Sequence, residues 1–349
     1  MRTIHLPSVV GVGSTDLGQL SLGTFGRGRA RPTMPHQIHW EGAAPYLVGT
    51  GVENYTRAVE RMDFLRLSDG PELRALAYTA LGLLLGPGQH TAALVIGLPV
   101  EVMADTTLAK ATLRDLRRWL IGSHTFSVDE VTTQLEIVHV SALAQPAGAY
   151  FAWGLADSGQ WTRPAADLKA QVGVSDLGFN TLDLFAVQGG QVVARFTGGD
   201  TAGMRRAAEL MVQSIRQQYG VSLSLHQADA LLHERAPQLH TAGQTVDLGP
   251  LVTQARAIVA GAVVSFLESR WGTGRQFGHV LFTGGGAAAL ESELLAHYPY
   301  GVVLPEPVTA NATGLARYAR RLYADAPRIV GLDPGFGGFK AVALNGSPG

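Results

Sequence analysis

The sequence predicts an α/β fold with two lobes, and three observations support this prediction. The chain has 349 residues, 46% of them hydrophobic, which can bury a large core and is long for one domain. Helical and strand patterns alternate between residues 71 and 140, which is typical of an α/β lobe. A strand, an acidic residue, a glycine turn and a second strand follow one another twice, near the middle of the chain and near its end.

The first lobe is predicted from the alternating elements. A helix begins at Pro71, because proline is favoured in a first helical turn. The apolar run at residues 92–96, flanked by glycine and proline, is typical of a buried central strand. Asp105 can cap the next helix, and residues 134–140 alternate as a strand.

The last segment, residues 329–344, is predicted to be a β-hairpin with a chemically active tip. Its first strand ends at Asp333, a turn with three glycines follows, and its second strand opens on Lys340. Glycines let backbone N–H groups approach an anion, an aspartate can hold a metal ion's waters, and a lysine adds positive charge for phosphate oxygens. A tight hairpin without a ligand explains the glycines almost as well.

The first and last strands are expected to be neighbours. Asn345-Gly346 is a strong hairpin turn signal, yet only three residues follow it. Residues 1–8 alternate Ile4 and Leu6 with polar side chains and can supply the missing strand. The sequence therefore predicts a β-meander across the two chain ends, as in a circular permutation, whether natural or engineered.

The pattern of strand, acid, glycine turn and strand recurs at residues 172–184, where the second lobe is predicted to begin. Here Asp176 takes the acid's place, and the turn leads to Asp183. A third strand is predicted at residues 192–196. Two such tips facing one another would clamp a polyphosphate and its cation from both sides.

Two further segments offer groups to such a site. Thr283 precedes three glycines and a helix start, which offer free N–H groups and room for a flat base. Gln145, just before a proline-started helix, could point its amide into a cleft and orient a water. The small residues that follow Gln145 are equally explained by close packing of a helix on a sheet.

Composition and charge exclude several classes of protein. The net charge of −1 gives no electrostatic footprint for nucleic acid. The chain has no cysteine, so disulfides and thiolate metal sites are excluded. No signal peptide or membrane span is recognised in the sequence, and we expect a cytoplasmic protein.

In combination, these turns resemble the motifs of the actin, Hsp70 and sugar-kinase superfamily. Residues 333–340 resemble its phosphate 1 motif, residues 176–183 its phosphate 2 motif and residues 283–286 its adenosine motif. The sequence motifs are most similar to those of the ParM-like bacterial and archaeal actins. The similarity spans nearly the whole chain once the chain order is permuted. The resemblance implies a two-lobed, circularly permuted actin-like ATPase fold, each lobe a mixed β-sheet with flanking helices.

The resemblance also implies domain bounds. Residues 1–150 would form lobe I without its first hairpin, and residues 151–305 would form lobe II. Lobe II would carry a small peripheral subdomain at about residues 200–270. Residues 306–349 would return to lobe I with the phosphate 1 hairpin.

The resemblance further implies that ATP or ADP and Mg²⁺ bind between the lobes. Asp333 and Asp176 would hold the magnesium through waters, with Asp176 also near the attacking water, which Gln145 would orient. The predicted nucleotide-binding residues are Gly335, Phe336, Gly337, Gly338 and Lys340 in phosphate 1, Gly178, Phe179, Asn180 and Thr181 in phosphate 2, Gly284, Gly285 and Gly286 around the adenosine, and Arg206 and Glu209 beside the ribose.

Two departures from the family pattern lead us to expect slow hydrolysis. Position 338 is usually Asn, Ser or Thr, whose side chain can bond a phosphate, whereas Gly338 leaves only backbone. Phe179 and Asn180 replace smaller residues in the second turn.

The function implied is a filament-forming ATPase whose closed subunits stack head to tail. It would serve plasmid or DNA partition, or cytoskeletal organisation, through an adaptor protein, without contacting nucleic acid or membrane directly. Three alternatives stay open: a non-polymerising ATPase, a small-molecule kinase of the same superfamily, and a structural protein with inactive turns. No carboxylate base for a sugar substrate can be nominated from the sequence, and no peptide-binding domain follows the lobes.

Overall fold

The computed structural model describes residues 1–16, 34–59, 70–201 and 203–345. Gly346 lies outside these ranges, so the turn predicted at Asn345-Gly346 is not described.

Strands and helices alternate along the described chain. Its first part contains β1 (Arg2–Pro7), β2 (Val10–Val12), β3 (His36–Trp40), β4 (Tyr46–Val48), a 3₁₀ helix (Val52–Asn54), α1 (Pro71–Leu85), β5 (Gly88–Leu98), α2 (Val100–Ala104), α3 (Thr106–Leu120), β6 (Gly122–Val128), β7 (Val131–Ala144) and α4 (Gln145–Gly154). Its middle contains α5 (Ala165–Lys169), β8 (Gln171–Leu177), β9 (Leu182–Gln188), β10 (Gln191–Val192), a 3₁₀ helix (Ala194–Phe196), β11 (Gly198–Asp200), α6 (Arg205–Tyr219), α7 (Leu225–His233), β12 (Gln238–Thr241), β13 (Gln244–Asp247) and α8 (Gly249–Trp271). Its last part contains β14 (His279–Thr283), α9 (Gly285–Ala289), α10 (Glu291–His297), β15 (Gly301–Val303), α11 (Ala310–Leu322), β16 (Arg328–Pro334) and β17 (Gly338–Asn345).

The larger sheet defines lobe I and has mixed strand directions. Its order within the described ranges is β1-β17-β16-β5-β7-β6-β3-β4-β2, with β5 parallel to both β16 and β7. Alternate residues of β5 enter different cores, because a strand points successive side chains to opposite faces. Leu94 and Ile96 pack with α1, whereas Ala93 and Val95 pack with α11. Helices therefore cover both faces, as predicted for an α/β lobe.

The chain-end hairpin is present, and β1 lies beside it. β16 and β17 pair antiparallel with Asp333 opposite Lys340, so both residues stand at the tip. β1 pairs antiparallel with β17, with His5 opposite Lys340. The predicted pairing of the first and last strands is therefore observed, while the circular permutation itself stays a prediction.

The second sheet defines lobe II and corrects one predicted strand. Its order is β10-β9-β8-β14-β15 within the described residues, with β11 also on β9. The strand predicted at residues 192–196 is wrong, because β10 ends at Val192 and a 3₁₀ helix follows. The Thr197 hydroxyl accepts the N–H of Ala186 at 3.1 Å and donates to the Val193 carbonyl oxygen at 3.1 Å. The Thr197 side chain therefore occupies the Ala186 N–H of β9, which a longer third strand would need for its backbone hydrogen bonds.

Helix α8 is the one described helix that is long and apolar enough to cross a membrane, with a mean hydropathy of 1.5. Its buried face packs into the core of lobe II through Val259, Val263 and Leu267. The hydrophobic residues on that face are explained by packing within the protein.

Helices α4 and α11 run beneath the space between the two sheets. Tyr150 of α4 packs against the lobe II sheet, while Gly148 faces α11. A Cβ atom added at Gly314 of α11 would overlap the Gly148 carbonyl group, so the two helix backbones are in direct contact. The small residues of α4 were expected to pack on a sheet, but Gly148 packs against helix α11 instead. Gln145 of α4 and Asn311 of α11 both line the cleft.

Candidate nucleotide site in the interlobe cleft

A cleft of about 710 Å³ lies between the two sheets and contains most of the predicted site residues. Both hairpin tips and the triple-glycine turn open into it. The predicted residues that line it are Gln145, Asp176, Gly178, Phe179, Asn180, Thr181, Gly284, Gly285, Gly286, Asp333, Gly335, Phe336, Gly337, Gly338 and Lys340.

Asp333 is held on the lobe I side by two partners. Its side chain is 2% exposed, and its Oδ1 accepts a hydrogen bond of 2.8 Å from Nε2 of Gln145. The same amide donates to the Pro334 carbonyl oxygen at 2.9 Å. Lys340 Nζ lies 3.5 Å from Asp333 Oδ2 and offsets its negative charge. Gln145 therefore fixes the hairpin tip through Nε2, leaving Oε1 free of these two bonds.

Asp176 stands on the lobe II side, and its negative charge is less well compensated than that of Asp333. Asn311 Nδ2 donates a hydrogen bond of 2.7 Å to Asp176 Oδ2. Burial and the charge of Asp333 raise the pKa of Asp176 to about 6, against the lowering effects of Lys340 and Asn311. Asp176 and Asp333 line the same cleft.

Asp183 extends this acidic region along the sheet. It is the cross-strand partner of Asp176, and its Oδ2 accepts a 3.1 Å hydrogen bond from the Thr181 hydroxyl. Burial and the charge of Asp176 raise its pKa to about 7, although hydrogen bonds from Thr181 and the Val100 backbone lower it. Lobe II thus presents two carboxylates without a close cation in the described residues.

The chemistry of these groups fits a magnesium ion held through water. Carboxylates are hard oxygen ligands, and Mg²⁺ retains several waters when it binds near phosphates. Among the buried side-chain oxygens of the described chain that have no hydrogen-bond partner, three belong to residues that line the cleft, namely Asn180, Asp229 and Asn311. No cluster of three His, Asp or Glu ligands occurs among the described residues, so water and phosphate would complete the shell.

The glycine turns bring the two hairpin tips into contact. Gly335 N–H donates to the Gly338 carbonyl oxygen at 3.1 Å, which closes the first tip. A Cβ atom added at Gly337 would lie only 2.9 Å from Phe179 Cβ, so the tips touch across the cleft.

The triple-glycine turn also requires glycine at its first position. Gly284 has φ +90°, which disfavours other residues, and an added Cβ would lie 2.6 Å from Asp176 Oδ1. The adenosine-type turn therefore packs directly on the end of the phosphate 2 strand.

The expected ribose-side position of Arg206 and Glu209 is not found. Both residues are exposed on α6, and neither lines the cleft. Glu209 instead accepts a 2.8 Å hydrogen bond from Arg205. Because α6 turns apolar residues such as Met211 into the lobe II core, its charged face points to solvent.

Helix α7 forms a cleft wall that sequence reasoning missed. His226, Asp229 and His233 line the cleft, although a small peripheral subdomain was expected at about residues 200–270. The His226 ring stacks on Phe179 with ring centroids 5.9 Å apart. His233 Nε2 lies 3.6 Å from Asp229 Oδ1 and borders the adenosine turn.

Sequence signals for these missed residues were partial. Ser224 and Gln227 form a capping box, a pattern that could have revealed α7 but not its orientation. Asn311 and His5 also line the cleft, and neither stood in a motif assigned to the site.

Together, the paired sheets and the cleft define a two-lobed actin-like protein, and family models agree. Residues 1–148 match the model "Actin like proteins N terminal domain", and residues 174–296 match "Archaeal actin homologue MreB-like, C-terminal". The chain belongs to the actin-like family, because the two models together match most of its residues. No curated protein matches the chain.

Solved structures show the same fold at low sequence identity. A non-polymerisable quadruple mutant of pCBH ParM has a TM-score of 0.70 and 20% identity, covering 90% of this chain and 92% of its own. A 15-stranded ParM filament from Clostridium botulinum has a TM-score of 0.65 and 19% identity, covering 90% and 92%. The archaeal actin homologue Ta0583 in complex with ADP has a TM-score of 0.62 and 18% identity, covering 82% and 89%.

Proposed function

We propose that this chain binds Mg-ATP between its two lobes and hydrolyses it slowly. The observation that carries the proposal is the meeting of two acidic hairpin tips in one cleft, with glycine turns and Lys340 beside them. An actin-like protein of the same fold has been solved with ADP, which supports a nucleotide as the ligand.

In this proposal, each lobe supplies a distinct part of the chemistry. Asp333 and Asp176 would hold Mg²⁺ through waters, and a bound Mg²⁺ would neutralise charge on the phosphates. Lys340 and the backbone N–H groups of both tips would bind phosphate oxygens. The phosphates would thus lie between opposed donors from the two lobes.

In this proposal, Gln145 and Asp176 would act on the attacking water. Gln145 is anchored through Nε2 by Asp333 and Pro334, so its Oε1 would accept a hydrogen bond from that water. Asn311 occupies Oδ2 of Asp176, which leaves Oδ1 to take the proton.

We further propose that the nucleotide controls self-assembly. ATP contacting both tips would favour the closed arrangement of the lobes, and closed subunits would stack head to tail. The similar ParM filament structure supports assembly, and we place the protein in the cytoplasm, in plasmid or DNA partition or in cytoskeletal organisation. An adaptor would connect it to cargo, without direct contact with nucleic acid or membrane.

The domain bounds and the permuted order belong to the same proposal. The larger sheet takes strands from Arg2 to Ala144 and from Arg328 to Asn345, which supports two separate contributions to lobe I.

Sedimentation with ATP and magnesium tests this function. We expect wild-type protein to pellet with Mg-ATP and to remain soluble without nucleotide, while Asp176→Ala stays soluble in both conditions. A wild-type protein that binds ATP yet stays in the supernatant at high concentration would contradict assembly. The remaining functions would then be a non-polymerising ATPase or a small-molecule kinase. A kinase would release ADP only when its small-molecule substrate is added.

A further inference from the structure

His5 is a cleft residue that the proposed mechanism does not yet use. It lies on β1 and lines the same cleft as the two hairpin tips. Its side chain remains accessible from the cleft, and no hydrogen bond of its ring is found within the described residues. An imidazole with unused polar atoms therefore faces the space assigned to the nucleotide.

The strand register places His5 beside the phosphate 1 tip. His5 is directly opposite Lys340 in the antiparallel pair of β1 and β17, and directly opposite residues share one face of a sheet. Lys340 in turn lies 3.5 Å from Asp333. The imidazole thus stands next to the lysine proposed to contact phosphate oxygens.

Gly338 leaves the room that the imidazole occupies. A Cβ atom added at Gly338 would overlap Nε2 of His5, closer than real atoms approach. Gly338 lies in β17, and its backbone is not in the left-handed region that favours glycine. The space that a side chain at position 338 would need is therefore taken by the His5 ring and the Leu6 carbonyl oxygen.

The charges around His5 favour a neutral ring in the empty cleft. Burial and Lys340 lower the pKa of His5 to about 4, against the opposite influence of Asp333. His233 lowers it further, and Asp229 raises it. A neutral imidazole carries one N–H donor, which can point at an anion when Nε2 is the protonated nitrogen.

We propose that His5 donates a hydrogen bond from Nε2 to a phosphate oxygen of the bound nucleotide, replacing the side-chain donor that Gly338 lacks. The inference rests on the proposed nucleotide function and assigns the chain's first strand a part in recognising the polyphosphate. The ligand class is a nucleoside di- or triphosphate, since the donor lies beside the phosphate tip.

A donor-swap experiment tests this inference. Dissociation constants for Mg-ATP, Mg-ADP and adenosine are measured for wild type, His5→Ala, Gly338→Asn and the double variant. We expect His5→Ala to weaken ATP and ADP binding by about tenfold or more, the usual effect of losing a hydrogen bond to a charged group, with adenosine unchanged. His297→Ala, an exposed histidine outside the cleft, is the matched control and should bind as wild type does.

The double variant gives the decisive comparison. Gly338→Asn alone should weaken binding because its side chain overlaps the imidazole. With His5→Ala added, the amide gains room and supplies a donor, so affinity for ATP should recover above that of either single variant.

Three results would overturn the inference. They are wild-type affinity in His5→Ala, an equal loss for adenosine and ATP, and additive losses in the double variant. His5→Gln, which keeps a donor, guards against a folding defect, and thermal melting of every variant checks for one. If wild type itself bound no Mg-ATP, the proposed function would fail together with this inference, whereas ATP binding with an unaffected His5→Ala would overturn the inference alone.

Discussion

The two hairpin tips share a sequence pattern but differ in how their charges are compensated. In lobe I, Asp333 has Lys340 Nζ at 3.5 Å and the Gln145 amide at 2.8 Å. In lobe II, Asp176 accepts a hydrogen bond from the neutral amide of Asn311 and forms no ion pair within the described residues, and its pKa rises to about 6. Asp183, beside it, has a pKa raised to about 7.

This difference implies that the two tips respond differently to a bound cation. In the lobe I tip, the charge of Asp333 is offset by Lys340 of the same hairpin. The lobe II tip carries buried carboxylates whose ionisation is costly until a cation arrives. We infer that magnesium and nucleotide stabilise lobe II more than lobe I. The lobe II tip would then change its stability more when the ligand binds.

The largest expected effect comes from removing either acid. Asp333→Ala and Asp176→Ala should each lower phosphate release from ATP by at least about 100-fold, because each removes a group proposed to hold the cation or accept a proton. Asp325→Ala, an exposed acid in lobe I, is the control and should retain activity.

The same pair should differ in stability without ligand, and thermal melting measures it. Asp333→Ala leaves the cation of Lys340 without its partner and should lower the melting temperature. Asp176→Ala removes an uncompensated buried carboxylate and should change it little or raise it. Equal destabilisation by both variants would break the comparison between the tips.

A smaller effect is expected for Asn311→Ala, which removes the hydrogen bond to Asp176. Losing a partner that orients a functional group commonly costs about 10- to 100-fold in activity. Because this hydrogen bond lowers the pKa of Asp176, its loss should move the acidic limb of the pH–rate profile to higher pH. A reduced rate with an unmoved profile would mean that Asn311 acts only in packing.

Asp183→Asn should flatten the pH dependence of stability. The folded-state pKa of Asp183, about 7, lies above its ordinary value of 3.8, so the folded chain binds the proton more tightly. Stability from this group is therefore lost as pH rises from about 4 to about 7, by at most about 4 kcal/mol. Melting curves of the ligand-free protein at pH 6 and pH 8 should diverge less for Asp183→Asn than for wild type, and equal divergence would contradict this.

The smallest predicted effect distinguishes α7, which lines the cleft, from α6, which does not. Asp229→Ala on α7 should weaken Mg-ATP binding a few-fold, because Asp229 lines the cleft and its buried Oδ1 accepts no hydrogen bond within the described residues. Glu209→Ala on exposed α6 should leave binding unchanged. The reverse result would restore the ribose-side position first expected for Glu209.

The tips could be predicted from sequence because their geometry is local. Asp333, the glycines and Lys340 lie within one hairpin, where strand register alone fixes their neighbours. Gln145 could be placed for a similar reason, since it directly follows a central strand and opens a helix.

The cleft wall could not be predicted because it depends on how helices pack. Helices α6 and α7 both carry ionisable side chains, and the sequence does not show which of the two lines the cleft. Their packing in lobe II decides it. The failed strand at residues 192–196 has a local cause, the competing hydrogen bonds of Thr197. The position of His5 beside Lys340 could not be predicted from either segment alone, because it depends on the pairing of β1 with β17.

The most direct test of the central claim is the melting temperature with ATP, measured with and without magnesium in wild type, Asp176→Ala and Asp333→Ala. A ligand that binds the folded state must raise the melting temperature. We predict a magnesium-dependent increase in wild type that both variants lose. An increase that magnesium does not affect, or that survives in both variants, would contradict a magnesium nucleotide held between Asp176 and Asp333.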